Sequence, residues 1–163
     1  MDAYPIQKMN LTINNRQRRH RVDRKRITCL TNWLMMRTPN LSPDLAREAV
    51  SLILTDDDGI RCINREVFGR DEVTDVITCC YDPLPGPDEQ AEAELIINLQ
   101  RAVAAARGGW SASRELALYI AHGCDHLAGA DDATPAEAMR MRRRELRWLR
   151  EAAAQDLVEG LLG

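Results

Sequence analysis

The chain has 163 residues, 45% of them hydrophobic and 29% charged, with a formal net charge of −3. This fits a single soluble globular domain over residues 1–163 with a sizeable core, and excludes a generic polyanion binder. No apolar run approaches the roughly 18 residues of a membrane span, and Met1-Asp-Ala-Tyr-Pro5 has neither the charged start nor the apolar stretch of a signal peptide, so a cytoplasmic location is expected.

In chain order, Leu11-Thr-Ile13 is a short strand candidate. From Val22 to about Arg37, Ile27, Leu30 and Leu34 recur at helical spacing, and Pro39 lies beyond the end. Ala49 to Leu54 is a β-rich apolar run that reads as a buried strand. Asp56-Asp57-Asp58 then opens a helix to about Phe68; acids in a first turn complement the helix dipole, so capping explains them better than metal binding. Gly69-Arg-Asp71 is a turn, Val73 to Tyr81 a strand, Asp82 to Ala91 a Pro-rich loop and Ala93 to Asn98 a strand. A short helix runs from Leu99 to Arg107 and breaks at Gly108-Gly109. Ser113 is placed to cap a helix to about Ala128, and a last helix spans about Pro135 to Ala154. The order β-α-β-α-β-β-α-α-α predicts an α+β domain: one small mixed sheet of about four strands, packed by about five helices.

Five cysteines, an odd number with no CxxC pair, argue against a disulfide framework. Four of them read as small apolar core residues, and Cys124 points away from the histidines described below. Arginine and lysine concentrate at 16–26 and 140–150, while Asp82, Asp88, Glu89, Glu92 and Glu94 form an acidic stretch between them. The two basic stretches suit phosphate contacts or a plain solvated face; no aromatic residue interleaves with them, so base stacking has little sequence support.

The most informative stretch is His122-Gly-Cys-Asp-His126-Leu-Ala-Gly129-Ala-Asp131-Asp132. Two of the chain's three histidines lie one helical turn apart, so both imidazoles project from one face. Leu116, Ile120, Gly123 and Leu127 define the buried sector, and the histidines border it, half buried and open at the edge. Glu115, two turns earlier, is a candidate partner for an imidazole nitrogen. Gly129 breaks the helix, and a carboxylate from Asp131 or Asp132 then swings back. This describes a divalent-metal site with three protein ligands and an open position for water, and hence a metal-dependent hydrolase. Position 132 also has the spacing of the HExxHxxGxx[H/D] zinc proteases, but Gly123 stands where those enzymes place their general-base glutamate.

The same residues resemble the YbeY family of bacterial rRNA maturation factors, whose hallmark is HGxLHLxGYDH. The family pattern LNxxxRxxDxxTDVLSF is echoed by Ile63-Asn64-Arg-Glu-Val-Phe68-Gly-Arg-Asp71-Glu-Val-Thr74-Asp75-Val76-Ile-Thr78, with Leu52-Ile-Leu-Thr-Asp56 before it and Glu94-Leu-Ile-Ile-Asn98 after it. The resemblance covers roughly residues 10 to 150. It implies a metal-dependent, single-strand-specific endoribonuclease of rRNA maturation and ribosome biogenesis and quality control. One Zn2+, or another divalent ion, would be held by His122, His126 and Asp132, the last in place of the family's third histidine. Single-stranded rRNA and a ribosomal subunit would be the partners, with no membrane and no DNA. Asp131 matches the acid before that histidine and would act from behind the ligands. The family arginine falls on Phe68, and Arg65 or Arg70 nearby are its candidate substitutes for RNA binding. Val73 and Thr78-Cys79 also depart from the pattern. Two alternatives stay open: a catalytically weakened RNA- or ribosome-binding relative, motivated by Phe68, and a zinc protease, disfavoured by Gly123.

Overall fold

The computed structural model describes residues 10–38, 49–82, 85 and 92–163. The readings at Met1–Pro5, at Pro39 and over most of the 82–91 loop lie outside them. The elements are β1 (Asn10–Asn15), α1 (Arg24–Met35), β2 (Ala49–Thr55), α2 (Asp57–Phe68), β3 (Val76–Tyr81), β4 (Glu92–Asn98), α3 (Leu99–Ala105), α4 (Ala112–Leu127) and α5 (Pro135–Ala153). The sheet order is β1-β2-β4-β3, with β1, β2 and β4 parallel and β3 antiparallel to β4 at the edge. This is the α+β architecture with one mixed sheet that the sequence predicts.

The central strands are apolar because both their faces are covered. Leu52, Leu54, Leu95 and Ile97 point into the main core, with side chains of α1, α3, α4 and α5. Ile53 and Ile96 point the other way and meet Ile60 and Ile63 of α2. The register pairs Leu52 with Leu95, Ile53 with Ile96 and Leu54 with Ile97, so each face presents matched aliphatics. No helix among the described residues is long and apolar enough to cross a membrane.

The three adjacent aspartates do serve the helix start. Asp56 accepts from Gly59 N, while Asp57 and Asp58 occupy the first turn of α2. Asp57 also accepts from the buried Asn98 amide at 2.6 Å. Asn98 in turn donates to Thr74 O and caps α3 through Arg101 N. The strand-to-helix junction and the Thr74-Asp75 segment therefore meet at one buried amide that ties α2, β4 and α3 together.

Several expectations shift. Ser111, not Ser113, caps α4. Ser113 is buried and its hydroxyl accepts from Leu161 N and Leu162 N, fixing the C-terminal segment, whose Val158 and Leu161 complete the core. The first helix and strand β3 are shorter than predicted, because Asp23 caps α1 and residues 71–74 form an irregular connection held by Asn64 Nδ2 on Glu72 O. Of the five cysteines only Cys79 and Cys124 are buried; Cys29 and Cys80 are exposed on the outer sides of α1 and β3, and Cys62 is half-buried with its thiol on Glu66.

Candidate metal centre

Helix α4 is buried almost all round, not along one sector, because the sheet, α1, α3 and α5 all pack against it. Leu116, Ile120, Gly123 and Leu127 are buried as predicted, and Leu118, Ala121, Cys124 and Asp125 are buried too. Gly123 lies against the sheet, where a Cβ would collide with Leu95 Cδ1. A side chain at this position would have to displace the buried Leu95. Cys124 is fully buried and its thiol is pushed up to about 12, chiefly by burial, so it supplies no thiolate ligand.

His122 and His126 open from the last turns of α4 with side chains 31% and 24% exposed. Beyond Leu127 the chain turns through Gly129, whose φ of 94° favours glycine. Gly129 N donates to His126 O and Ala130 N to Asp125 O, which closes the helix end. Asp131 Oδ1 then accepts from Asp132 N at 2.8 Å and Ala133 N at 3.2 Å. That local turn carries the Asp132 carboxylate back to the histidines, with Oδ2 at 3.7 Å from each Nε2. Asp132, and not Asp131, joins the pair, and Asp131 shapes the turn that delivers it.

The proton inventory at the two imidazoles is revealing. His122 Nδ1 lies 2.8 Å from Glu145 Oε1, and His126 Nδ1 lies 3.0 Å from the carbonyl of Ala130. A carboxylate and a carbonyl only accept, so each Nδ1 carries the proton and each neutral ring turns a bare Nε2 inward. Those two Nε2 atoms are 3.0 Å apart. In the neutral rings two lone pairs at that distance repel; a proton shared between them, when His122 is charged, or a divalent ion between them relieves this. Ligand atoms about 2.0–2.1 Å from a tetrahedral ion stand about 3.3 Å from one another. The observed edges of 3.0, 3.7 and 3.7 Å bracket that value, so His122, His126 and Asp132 form a group able to hold a divalent ion.

The support behind this group comes from α5 and was not read from the sequence. Glu145, 2% exposed, holds His122, and the hydrogen bond to it holds the imidazole above its ordinary pKa against the opposing effect of burial. Arg144 forms a bidentate pair with the buried Asp125, its Nε 3.0 Å from both carboxylate oxygens and its NH2 group 2.8 Å from Oδ2. Burial nevertheless pushes the Asp125 carboxyl up, against the pull of Arg144. A signal was available, since Glu145 falls on the helical spacing of Met141, Trp148, Leu149 and Ala152, the buried face of α5. Glu115, the partner expected from sequence, instead accepts from the Trp110 indole at 2.6 Å. Its place two turns before the histidines sets it at the far end of α4.

The α2 residues sit elsewhere. Phe68 is 51% exposed at the end of α2, across the sheet from α4. Arg65 approaches Asp71 at 3.7 Å, and Arg61 holds the same carboxylate at 2.8 Å. Among the described residues, no hydrogen bond or ion pair joins Arg65 or Arg70 to His122, His126 or Asp132.

Comparison with known proteins agrees with this layout. The family model for the endoribonuclease YbeY matches residues 12–153. The endoribonuclease YbeY of Moorella thermoacetica is 35% identical over 148 residues, covering 84% of this chain and 93% of that protein. Its counterpart in an Anaeromyxobacter species is 37% identical over 115 residues, 70% of this chain but only 56% of that longer protein. The solution structure of TM1509 from Thermotoga maritima shares the fold, with a TM-score of 0.57 at 21% identity over 89% of this chain and 90% of that one. On the match across most of its length, this chain belongs to the YbeY endoribonuclease family.

Proposed function

We propose that the protein is a metal-dependent endoribonuclease that cuts single-stranded RNA, with ribosomal RNA as substrate, a ribosomal subunit as partner and the cytoplasm as its location. The observation that carries this reading is the pair of inward-facing Nε2 atoms 3.0 Å apart, with the Asp132 carboxylate 3.7 Å from both. His122, His126 and Asp132 would hold the ion, and zinc suits two imidazoles and a carboxylate at a half-open site. Bound there, a divalent ion supplies Lewis acidity toward a phosphoryl oxygen and lowers the pKa of water.

The chain's own residues do the rest. Glu145 and the Ala130 carbonyl fix both imidazoles in one tautomer and orientation. Asp132 adds negative charge where the family has a neutral imidazole, which weakens the electrophilicity of the site. Arg65 and Arg70 are proposed as RNA contacts at the far edge of α2, and the attacking group is either water or a ribose 2′-hydroxyl. A protease reading is disfavoured because Gly123 stands where those enzymes place their general-base glutamate.

A second reading, an RNA- or ribosome-binding relative with weakened catalysis, is favoured by Phe68, exposed where the family has an arginine. One experiment separates the two: measure bound metal in the purified protein and cleavage of single-stranded RNA by wild type, Asp132→Ala and Phe68→Arg. About one equivalent of zinc, with cleavage lost in Asp132→Ala, supports the nuclease. Metal without cleavage, gained in Phe68→Arg, supports the second reading. A metal-free wild type that resists reloading would sink both the ligand assignment and the nuclease.

A further inference from the structure

A cavity of about 580 Å³ lies between the flank of α5 and the start of α4, toward the other end of α4 from the histidines. Leu146, Leu149, Ala153 and Val158 form an apolar floor, Trp110 a wall, and Arg114, Arg143 and Arg150 the cationic margin. The sequence separates Trp110 from the arginine stretch 140–150; the fold brings them into one groove.

Each part is built for a task. Trp110 is anchored at both ends. Its backbone exchanges hydrogen bonds with Arg107 at 3.0 and 3.1 Å across a turn in which Gly108 has a φ of 57°. Its indole N–H donates to Glu115. A half-buried indole so held is a rigid surface that loses little freedom when something packs on it. Arg114 is already matched by Glu159 at 2.8 Å. Arg143 and Arg150 have no acid within ion-pair range among the described residues, although the chain as a whole is acidic. An apolar floor, an aromatic wall and two uncommitted guanidiniums form the combination that seats one unstacked base with its flanking phosphates. Leu146 directly follows Glu145, which touches His122, and Arg150 lies about 7.5 Å along the α5 axis from Glu145, so the groove runs away from the metal group along α5 and a strand of several nucleotides spans both.

We propose that this groove is a seat for single-stranded RNA, with a base against Trp110 and the aliphatic floor and the adjoining phosphates on Arg143 and Arg150. The inference rests on the nuclease reading for the identity of the strand, but its test does not depend on cleavage. The probe is a fluorescein-labelled ten-nucleotide oligouridine, bound to the full chain as purified and again in EDTA, and followed by anisotropy. Replacing both arginines (Arg143→Gln with Arg150→Gln) weakens binding at least tenfold and lowers the salt slope, the dependence of log K on log salt, by about 1.4 for two lost contacts. Trp110→Leu weakens binding about tenfold and leaves that slope unchanged. If Trp110→Leu does not fold, the arginine pair, both on the surface, still decides. Full-affinity binding by the arginine variant, or no binding by wild type, overturns the inference. So does a labelled Leu/Glu amphipathic peptide that binds the groove and is not displaced by the oligouridine; that result would mark a protein-docking surface. Failure of the nuclease reading looks different: wild type binds the oligouridine through these residues and, loaded with zinc, leaves it uncut.

Discussion

The two faces of the sheet are held down in contrasting ways. On the α2 side a small aliphatic seam of Ile53, Ile60, Ile77 and Ile96 does the packing, and charges such as Arg61 and Asp71 pair out in solvent. On the α4 side the larger core carries buried carboxylates at its edge: Asp125 with Arg144, and Glu145 with His122. Exposed pairs are screened and interchangeable, whereas buried ones are tolerated only when each member has its partner. Charge buried next to two histidines therefore marks where this fold accepts a cost for chemistry.

The largest expected effect comes from orphaning a buried carboxylate. Arg144→Met leaves Asp125 without its partner and should cost about 3 kcal/mol, the lower end for a broken buried pair because Arg144 is 25% exposed. Urea unfolding measures it. The double change Asp125→Leu with Arg144→Met should recover most of that loss, since burial already works against the Asp125 charge and the family pattern has leucine there. A double variant no better than the single one would show that the pair contributes more than mutual compensation.

Next comes Glu145. Glu145→Ala frees His122 to rotate and change tautomer, so zinc affinity, measured by competition with a chromophoric chelator, should fall about 10- to 100-fold. Glu145→Gln should recover part of it, because its amide oxygen also accepts from Nδ1. Equal affinities in all three proteins would place Glu145 in packing alone.

A smaller effect depends on pH. Glu145 raises His122 above the ordinary value of 6.5, so in the metal-free protein the pair's contribution is complete below that pH and fades as pH rises through the folded value. In EDTA, wild type should lose melting temperature relative to Glu145→Gln as pH rises above about 6.5. With zinc present the trend reverses, because the ligand nitrogens must be unprotonated. Smallest of all, Arg61→Ala should leave thermal stability essentially unmoved, since both partners of its pair are about half exposed. A clear loss there would erase the contrast between the faces.

Much of this was legible in the sequence. Apolar runs, helical spacing, and capping and turn residues located nine elements in order, and the His122–Asp132 spacing picked out the three groups that converge. What escaped was long-range. Ser111 and Ser113 are both plausible caps, and only the docking of Leu161 and Leu162 on Ser113 separates them. Glu115 was a reasonable guess for the partner of His122 because it shares the helix, but the partner comes from α5, 23 residues away. Local rules place side chains on a face; they do not say which neighbouring helix supplies the acceptor. The cysteines erred for a related reason: composition predicts burial on average, while Cys29 and Cys80 fall on outward positions of elements whose inward positions are already filled.

The contact between Glu145 and His122 also links occupancy to motion. Binding at the histidines stabilises conformations in which α5 is docked more than those in which it has peeled away, because undocking takes Glu145 from His122 and weakens the hold on the ion. The amide protons of α5 should therefore exchange with deuterium more slowly in the metal-loaded protein than after chelation, while those of α2, across the sheet, keep nearly the same rate. The last long helix becomes a reporter of what the histidines hold.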